Sequence, residues 1–115
     1  MDNITNLFPA TQKTEQQVVF DRVELNIIMG IYGRFVSAGL FRDYAISMDA
    51  NEARFAGFER ATERPDIQII KRPELVRKQG TYALLGRSGV VLKRGHDLRT
   101  VCQILERRLM KVVDE

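Results

Sequence analysis

Apolar residues recur every three or four positions in two stretches of the chain, which is the spacing of the buried face of a helix. The first stretch follows Asp21 and ends at Gly39. Asp21 and Glu24 have the spacing of a capping box, and Gly39 suits a left-handed cap. The second stretch follows Asp97, the expected N-cap, and its apolar positions are Leu98, Val101, Cys102, Leu105, Leu109 and Val112. We therefore expect an N-terminal and a C-terminal helix.

Between these helices the period changes to the alternation and the short β-prone runs that are typical of strands. Residues 49–51 and 86–89 have the composition of turns and predict two hairpins. The predicted strands are residues 18–20, 44–48, 53–58, 67–71, 82–85 and 90–93. The sequence thus predicts an α+β fold, with an antiparallel meander sheet of about five strands and both helices packed on one face of it.

The length of 115 residues suits one domain with one core. Residues 1–17 are rich in Asn, Thr and Gln without a period, so we expect a flexible N-terminal tail, followed by a single domain at 18–115. No apolar stretch approaches the roughly 20 residues of a membrane-spanning helix, and the N-terminus does not have the pattern of a secretory signal. We expect a cytoplasmic protein that makes no contact with a membrane.

The net charge of +3 is unevenly distributed. Residues 1–59 hold five Lys and Arg against eight Asp and Glu, whereas residues 60–115 hold thirteen against seven. A basic half can form a surface for nucleic acid or for an acidic partner. The candidates for such an anion-binding or nucleic-acid-binding surface are Arg60, Arg64, Lys71, Arg72, Lys93, Arg94 and His96. Acidic residues lie among them, so a salt-bridged surface without a partner is the alternative interpretation.

His96 is the single histidine, and it lies close to Lys93 and Arg94 where a predicted strand gives way to a helix. Two cations and the N–H groups of a helix N-terminus could hold a phosphate or a carboxylate. An ordinary strand-to-helix turn explains the same residues. The hypothesis of a small-anion sensor or an enzyme depends on this segment.

No other motif indicates catalysis. One cysteine and one histidine cannot form a zinc cluster, and neither glycine-rich nucleotide motif is present. Cys102 falls on the apolar stripe of the second helix, which predicts a small core residue rather than a nucleophile. We therefore assign no catalytic residue, metal or cofactor, and we expect a protein that is not an enzyme.

Three segments resemble a family of small alphaproteobacterial proteins known as a domain of unknown function. The first is Phe20-Asp21-Arg22-Val23-Glu24-Leu25. The second is Tyr32-Gly33-Arg34 together with Ala38-Gly39 through Arg42-Asp43-Tyr44-Ala45-Ile46, and the third is Leu92-Lys93-Arg94-Gly95-His96-Asp97-Leu98. The resemblance covers residues 18–112, and Phe41 stands where that family is expected to have tryptophan. It implies a stand-alone cytoplasmic bacterial protein and supplies no activity.

Three functions follow from these features. The first is a non-catalytic binding module that acts through protein contacts, with a protein partner or a second copy docked on the open face of the sheet or on the last helix. The second is a nucleic-acid-binding domain that uses the basic half. The third is the small-anion sensor or enzyme at the start of the last helix. We expect the first.

Overall fold

The computed structural model describes residues 17–59, 64–75 and 80–114. Helix α1 spans Arg22–Ser37 and begins with the predicted capping box. The Asp21 carboxylate accepts the Glu24 N–H at 2.8 Å, and the Glu24 carboxylate accepts the Asp21 N–H at 2.8 Å. Two of the N–H groups that a helix start leaves without a partner are therefore bonded.

The end of α1 is a Schellman motif, and it confirms Gly39 as the left-handed cap. Gly39 has a φ of +79°, which a residue without a Cβ adopts at little cost. Its N–H donates to the Val36 carbonyl at 2.9 Å, and the Leu40 N–H donates to the Phe35 carbonyl at 2.8 Å. These two bonds turn the chain sharply towards the sheet.

The strands of the described residues form one antiparallel sheet in the order β1-β2-β3-β4-β5, which is the predicted meander. Their bounds are β1 Asp43–Met48, β2 Ala53–Phe58, β3 Ile67–Lys71, β4 Tyr82–Leu85 and β5 Val91–Gly95. Short 3₁₀ turns at Pro73–Leu75 and Arg87–Gly89 lie between strands. Helices α2, Leu98–Val101, and α3, Gln103–Asp114, complete the described chain.

Both ends of the chain contribute helices to the same side of the sheet. Phe55, Ile69 and Leu84 lie opposite one another on β2, β3 and β4 and are buried. They share one core cluster with Phe35 of α1 and Leu105 of α3. The predicted fold class is confirmed: an α+β fold with a five-stranded meander and the helices on one face.

Three details differ from the predictions. Residues 18–20 are not a strand. The Val18 N–H donates to the Asp49 carbonyl at 2.8 Å, and Phe20 is buried in the core. Tertiary packing therefore overrides the β propensity of this segment. Strand β5 begins and ends later than expected. The C-terminal helix is divided at Cys102, where ψ is 0° and the Leu105 N–H bonds the Cys102 carbonyl at 3.0 Å.

Two predicted features lie mostly or wholly outside the described residues. Of the expected tail at residues 1–17, only Gln17 is among the described residues. Arg60 lies in the undescribed segment before Arg64. None of the described helices is long and apolar enough to cross a bilayer.

Candidate functional site

The sheet has one face that the described helices leave uncovered. Side chains alternate along a strand, so the neighbours of the core residues point away from the helices. On β2 to β5 these are Arg54, Ala56, Phe58, Gln68, Ile70, Ala83, Leu85, Val91 and Arg94. We call this surface the open face.

One row of opposed residues crosses the open face from β2 to β5. Arg54 lies opposite Ile70, Ile70 opposite Ala83, and Ala83 opposite Arg94. Three strand spacings separate the two arginine positions, which is about 14 Å. The row therefore has a cation at each end and an apolar centre.

A shallow depression of about 350 Å³ lies on this row. Ile70, Leu85 and Val91 contribute apolar side chains to it, and Val91 is 42% exposed. Arg54, Arg72 and Arg94 line the same depression. The open face thus offers an aliphatic floor with guanidinium groups around it.

Two of these arginines are held in place by Glu52. Arg54 Nη2 and Arg72 Nη2 each bind the Glu52 carboxylate at 2.6 Å, on different oxygens. Arg54 Nη1 also donates to the Gln68 side chain at 2.6 Å. Burial alone would raise the pKa of Glu52, but hydrogen bonds from Arg54 and Arg72 outweigh it and lower the pKa below its ordinary value. The Glu52 side chain is therefore a fixed anion that orders two cations.

Arg94 differs from these two arginines. It is exposed on the edge strand β5, and within the described part of the chain it makes no ion pair. Its guanidinium keeps its hydrogen-bond donors available in the fork that matches a carboxylate or a phosphate. Arg94 is the residue of the open face that is most ready to bind an anion.

The predicted site residues do not gather on one surface. Arg72 and Arg94 reach the open face, whereas Lys71 and Lys93 occupy helix-side positions of their strands. Arg64 is exposed in the segment before β3. Among the predicted cations that the structure describes, two therefore come together on the open face, and Arg54, which the sequence analysis did not select, joins them.

At the start of the C-terminal helical segment, the Asp97 side chain is the N-cap and already bonds the first turn. The Asp97 carboxylate accepts the Thr100 N–H at 3.1 Å and the Thr100 hydroxyl at 2.7 Å, and these bonds lower the pKa of Asp97. Lys93 and Arg94 lie on opposite faces of the sheet, and His96 is exposed in the turn. Helix α2 has only four residues, so its macrodipole is small and contributes little to binding an anion at this turn.

Lys71 takes part in a partly buried polar cluster between α1 and the sheet. Its Nζ lies 2.9 Å from Glu24 Oε1 and 2.9 Å from the Val19 carbonyl oxygen. Glu24 Oε2 accepts a hydrogen bond from the Tyr82 hydroxyl. Burial and then this bond raise the pKa of Tyr82. Every charged group of the cluster has a partner, which indicates a structural role.

Cys102 is a core residue, as predicted. Its side chain is 1% exposed, and burial raises the pKa of its thiol to about 12. Because the thiolate is the reactive form, this thiol is inert at neutral pH. Among the described residues, no three His, Cys, Asp or Glu side chains are close enough to hold a metal ion.

The fold is a small α+β domain, and one face of its sheet, rimmed by arginines, is left uncovered by the described helices. Residues 18–102 match the family model DUF2794, described as a protein of unknown function. The chain belongs to this family, which confirms the resemblance to a domain of unknown function. No curated protein and no solved structure matches the chain.

Proposed function

We propose that the protein is a non-catalytic binding module whose open face docks an acidic, partly apolar segment of a protein partner. The observation that carries the proposal is the row from Arg54 to Arg94, which places cations at both ends of an aliphatic floor. A segment that alternates carboxylates with aliphatic side chains complements this row in charge and in polarity.

The apolar floor supplies a driving force for docking. Ile70 and Leu85 are only half-buried, and Val91 is 42% exposed, so the open face still presents aliphatic area to water. Covering such area contributes about 25 cal/mol per Å². An apolar side chain of the partner fits the depression between these residues.

The arginines supply charge and orientation. Arg54 and Arg72 are already ordered by Glu52, so binding costs little side-chain entropy there. Arg94 can receive a carboxylate through two parallel N–H donors, an arrangement that also fixes direction. The partner's charge is therefore expected to determine both specificity and association rate.

Nucleic acid would meet the same arginines, but stacking requires exposed rings. Phe58 is the aromatic residue among the open-face positions, and it is half-buried. Four other rings, Tyr32, Phe41, Tyr44 and Phe55, pack against one another on the helix side. The aliphatic floor favours a peptide over bases.

We also propose the cytoplasm as the location of the protein. Cys102 is a free and buried thiol, which suits a reducing compartment.

The test is an NMR titration of the full chain with three probes. They are a short peptide that alternates glutamate with leucine, the same peptide with lysine for glutamate, and a short single-stranded oligonucleotide. We expect the acidic peptide to shift the amide resonances of β3, β4 and β5, and Arg94→Glu to weaken its binding by about tenfold or more. The matched control is Arg107→Glu, the same change at an exposed position of α3, which should leave the affinity within about twofold.

Three results would overturn the proposal. The first is no binding of the acidic peptide, and the second is binding that Arg94→Glu and Arg107→Glu weaken equally. The third is preferential binding of the oligonucleotide with a linear fall of log affinity against log salt, which would establish the nucleic-acid function instead.

A further inference from the structure

The sheet ends in two edge strands, β1 and β5, and they are built differently. Edge strands leave backbone N–H and C=O groups without partners, and proteins commonly block them with charged residues or with bulges. Strand β5 carries both devices. Lys93 and Arg94 lie on it, and its register with β4 shifts so that Leu92 has no residue opposite.

Strand β1 has no register shift, and its one charged residue is Asp43 at its first position. It pairs with β2 in uninterrupted register over its whole length, and it contains no Lys, Arg or Pro. Five of its six residues are exposed, including two large apolar ones, Tyr44 at 44% and Ile46 at 37%. Of the two edges, β1 is the one that the described part of the chain leaves open to another strand.

Backbone geometry shows which groups of β1 point outwards. The Asp49 N–H donates to the Glu52 carbonyl at 3.0 Å, so Asp49 directs its N–H towards β2. Direction alternates along an antiparallel strand. The residues whose N–H and C=O groups point away from β2 are therefore Tyr44, Ile46 and Met48. In agreement, the Tyr44 N–H is bonded to the adjacent Asp43 carboxylate at 2.8 Å rather than to a strand.

We propose that β1 pairs with β1 of a second copy of this chain, antiparallel and about a two-fold axis at Ala45. Tyr44 then lies opposite Ile46 of the second copy, and both are outward-pointing residues. On pairing, the Tyr44 N–H exchanges the Asp43 carboxylate for the Ile46 carbonyl, so each of the two symmetric pairs forms two backbone hydrogen bonds. Because this two-fold axis is perpendicular to the sheet, the helices of the two copies lie on the same side of the combined ten-stranded sheet. The contact is isologous and closes on itself.

The side chains favour this register over the neighbouring one. With the axis at Ala45, Tyr44 meets Ile46, an aromatic with a β-branched residue, and Asp43 meets the Ser47 hydroxyl. An axis at Ile46 would instead place Asp43 opposite Asp49, and like charges directly opposite are destabilising. The pairing does not depend on the open-face proposal, since Tyr44 and Ile46 project on the helix side.

The first experiment is sedimentation equilibrium of the full chain over a wide range of concentration. We expect a reversible dimer of twice the 13.2 kDa chain mass. Ile46→Lys should weaken the dimer by about tenfold or more without altering the circular dichroism spectrum. Met110→Lys, at a side chain that is 63% exposed on α3, is the matched control and should leave the dimer intact.

The second experiment tests the register by mild oxidation. Residue 45 faces its own copy across the axis as a non-hydrogen-bonded pair, with Cα atoms about 4.5 Å apart, which a disulfide can bridge. Ala45→Cys should therefore give a covalent dimer. Ser47→Cys, in the same strand, would lie about 13 Å from its copy and should not.

A monomeric wild type at every concentration would overturn the proposal, as would a dimer that survives Ile46→Lys or one that is broken by Val91→Lys on β5. A dimer in which Ala45→Cys and Ser47→Cys cross-link equally would overturn the two-fold axis at Ala45.

Discussion

Glu24 and Tyr82 are 58 residues apart in the chain and share a hydrogen bond beneath the sheet. The same carboxylate begins α1 by accepting the Asp21 N–H, and it pairs with Lys71 on β3. One side chain thus caps a helix and ties that helix to two strands. The position of α1 over the sheet depends on it.

Glu24→Gln should destabilise the protein by about 2 kcal/mol or more, because it leaves the largely buried Lys71 ammonium without its counter-ion. The measurement is urea denaturation at neutral pH. Glu106→Gln is the matched control. It breaks an ion pair with Arg34 in which both side chains are over 40% exposed, so it should cost at most about 1 kcal/mol. Equal losses for the two variants would contradict the role of Glu24.

The Glu52 cluster predicts a pH dependence of stability. Because the folded protein lowers the pKa of Glu52, the unfolded chain binds a proton more readily, and the stabilisation is present in full above the ordinary pKa of 4.5. It should be lost as the pH falls through the lower folded pKa. The free energy of unfolding of the wild type and of Glu52→Gln, measured from neutral to acidic pH, should therefore converge at low pH. A constant difference would contradict the assignment.

Gly39 at the end of α1 and Gly33 within α1 predict opposite effects of alanine. Gly39→Ala should destabilise by about 1 kcal/mol, because its φ of +79° is costly for a residue with a Cβ. Gly33→Ala lies inside α1 with no atom within 4 Å of the added Cβ, so it should stabilise by about 0.5 to 1 kcal/mol. Thermal unfolding measures both. The same sign for the two variants would exclude the Schellman geometry.

Cys102 should be protected from thiol reagents in the folded protein. Its side chain is 1% exposed, and burial raises its thiol pKa to about 12, so very little thiolate forms at neutral pH. Reaction with an aromatic disulfide reagent should be at least about a hundredfold slower than in denaturant. Met110→Cys, at a side chain that is 63% exposed on α3, supplies an exposed thiol as the control, and its additional reaction should be fast.

Much of the fold was predictable because its signals are local. The capping box at Asp21 and Glu24 needs only the correct spacing, and Gly39 stands where the helical period ends. The alternation in β1 to β4 is likewise read within each segment. The break at Cys102 was not predictable, since one distorted turn leaves the apolar spacing unchanged.

The arginine arrangement required information that a single segment does not contain. Arg54 lies between the buried Ala53 and Phe55, so its outward direction could have been read from β2 alone. That Glu52 joins Arg54 to Arg72 depends on the pairing of β2 with β3, and strand register is a tertiary property. The side of Lys71, by contrast, follows from alternation within β3, because Lys71 shares the face of the buried Ile67 and Ile69.

Leu92, which has no residue opposite it on β4, also affects how the protein can aggregate. A sheet that could extend at both edges would recruit copy after copy and grow into a fibre. Here the register shift and the two cations on β5 make one side of the sheet unsuitable for strand addition. Any growth that begins at the other side consequently stops after one step, and a crowded solution of this protein should contain small, closed species rather than filaments.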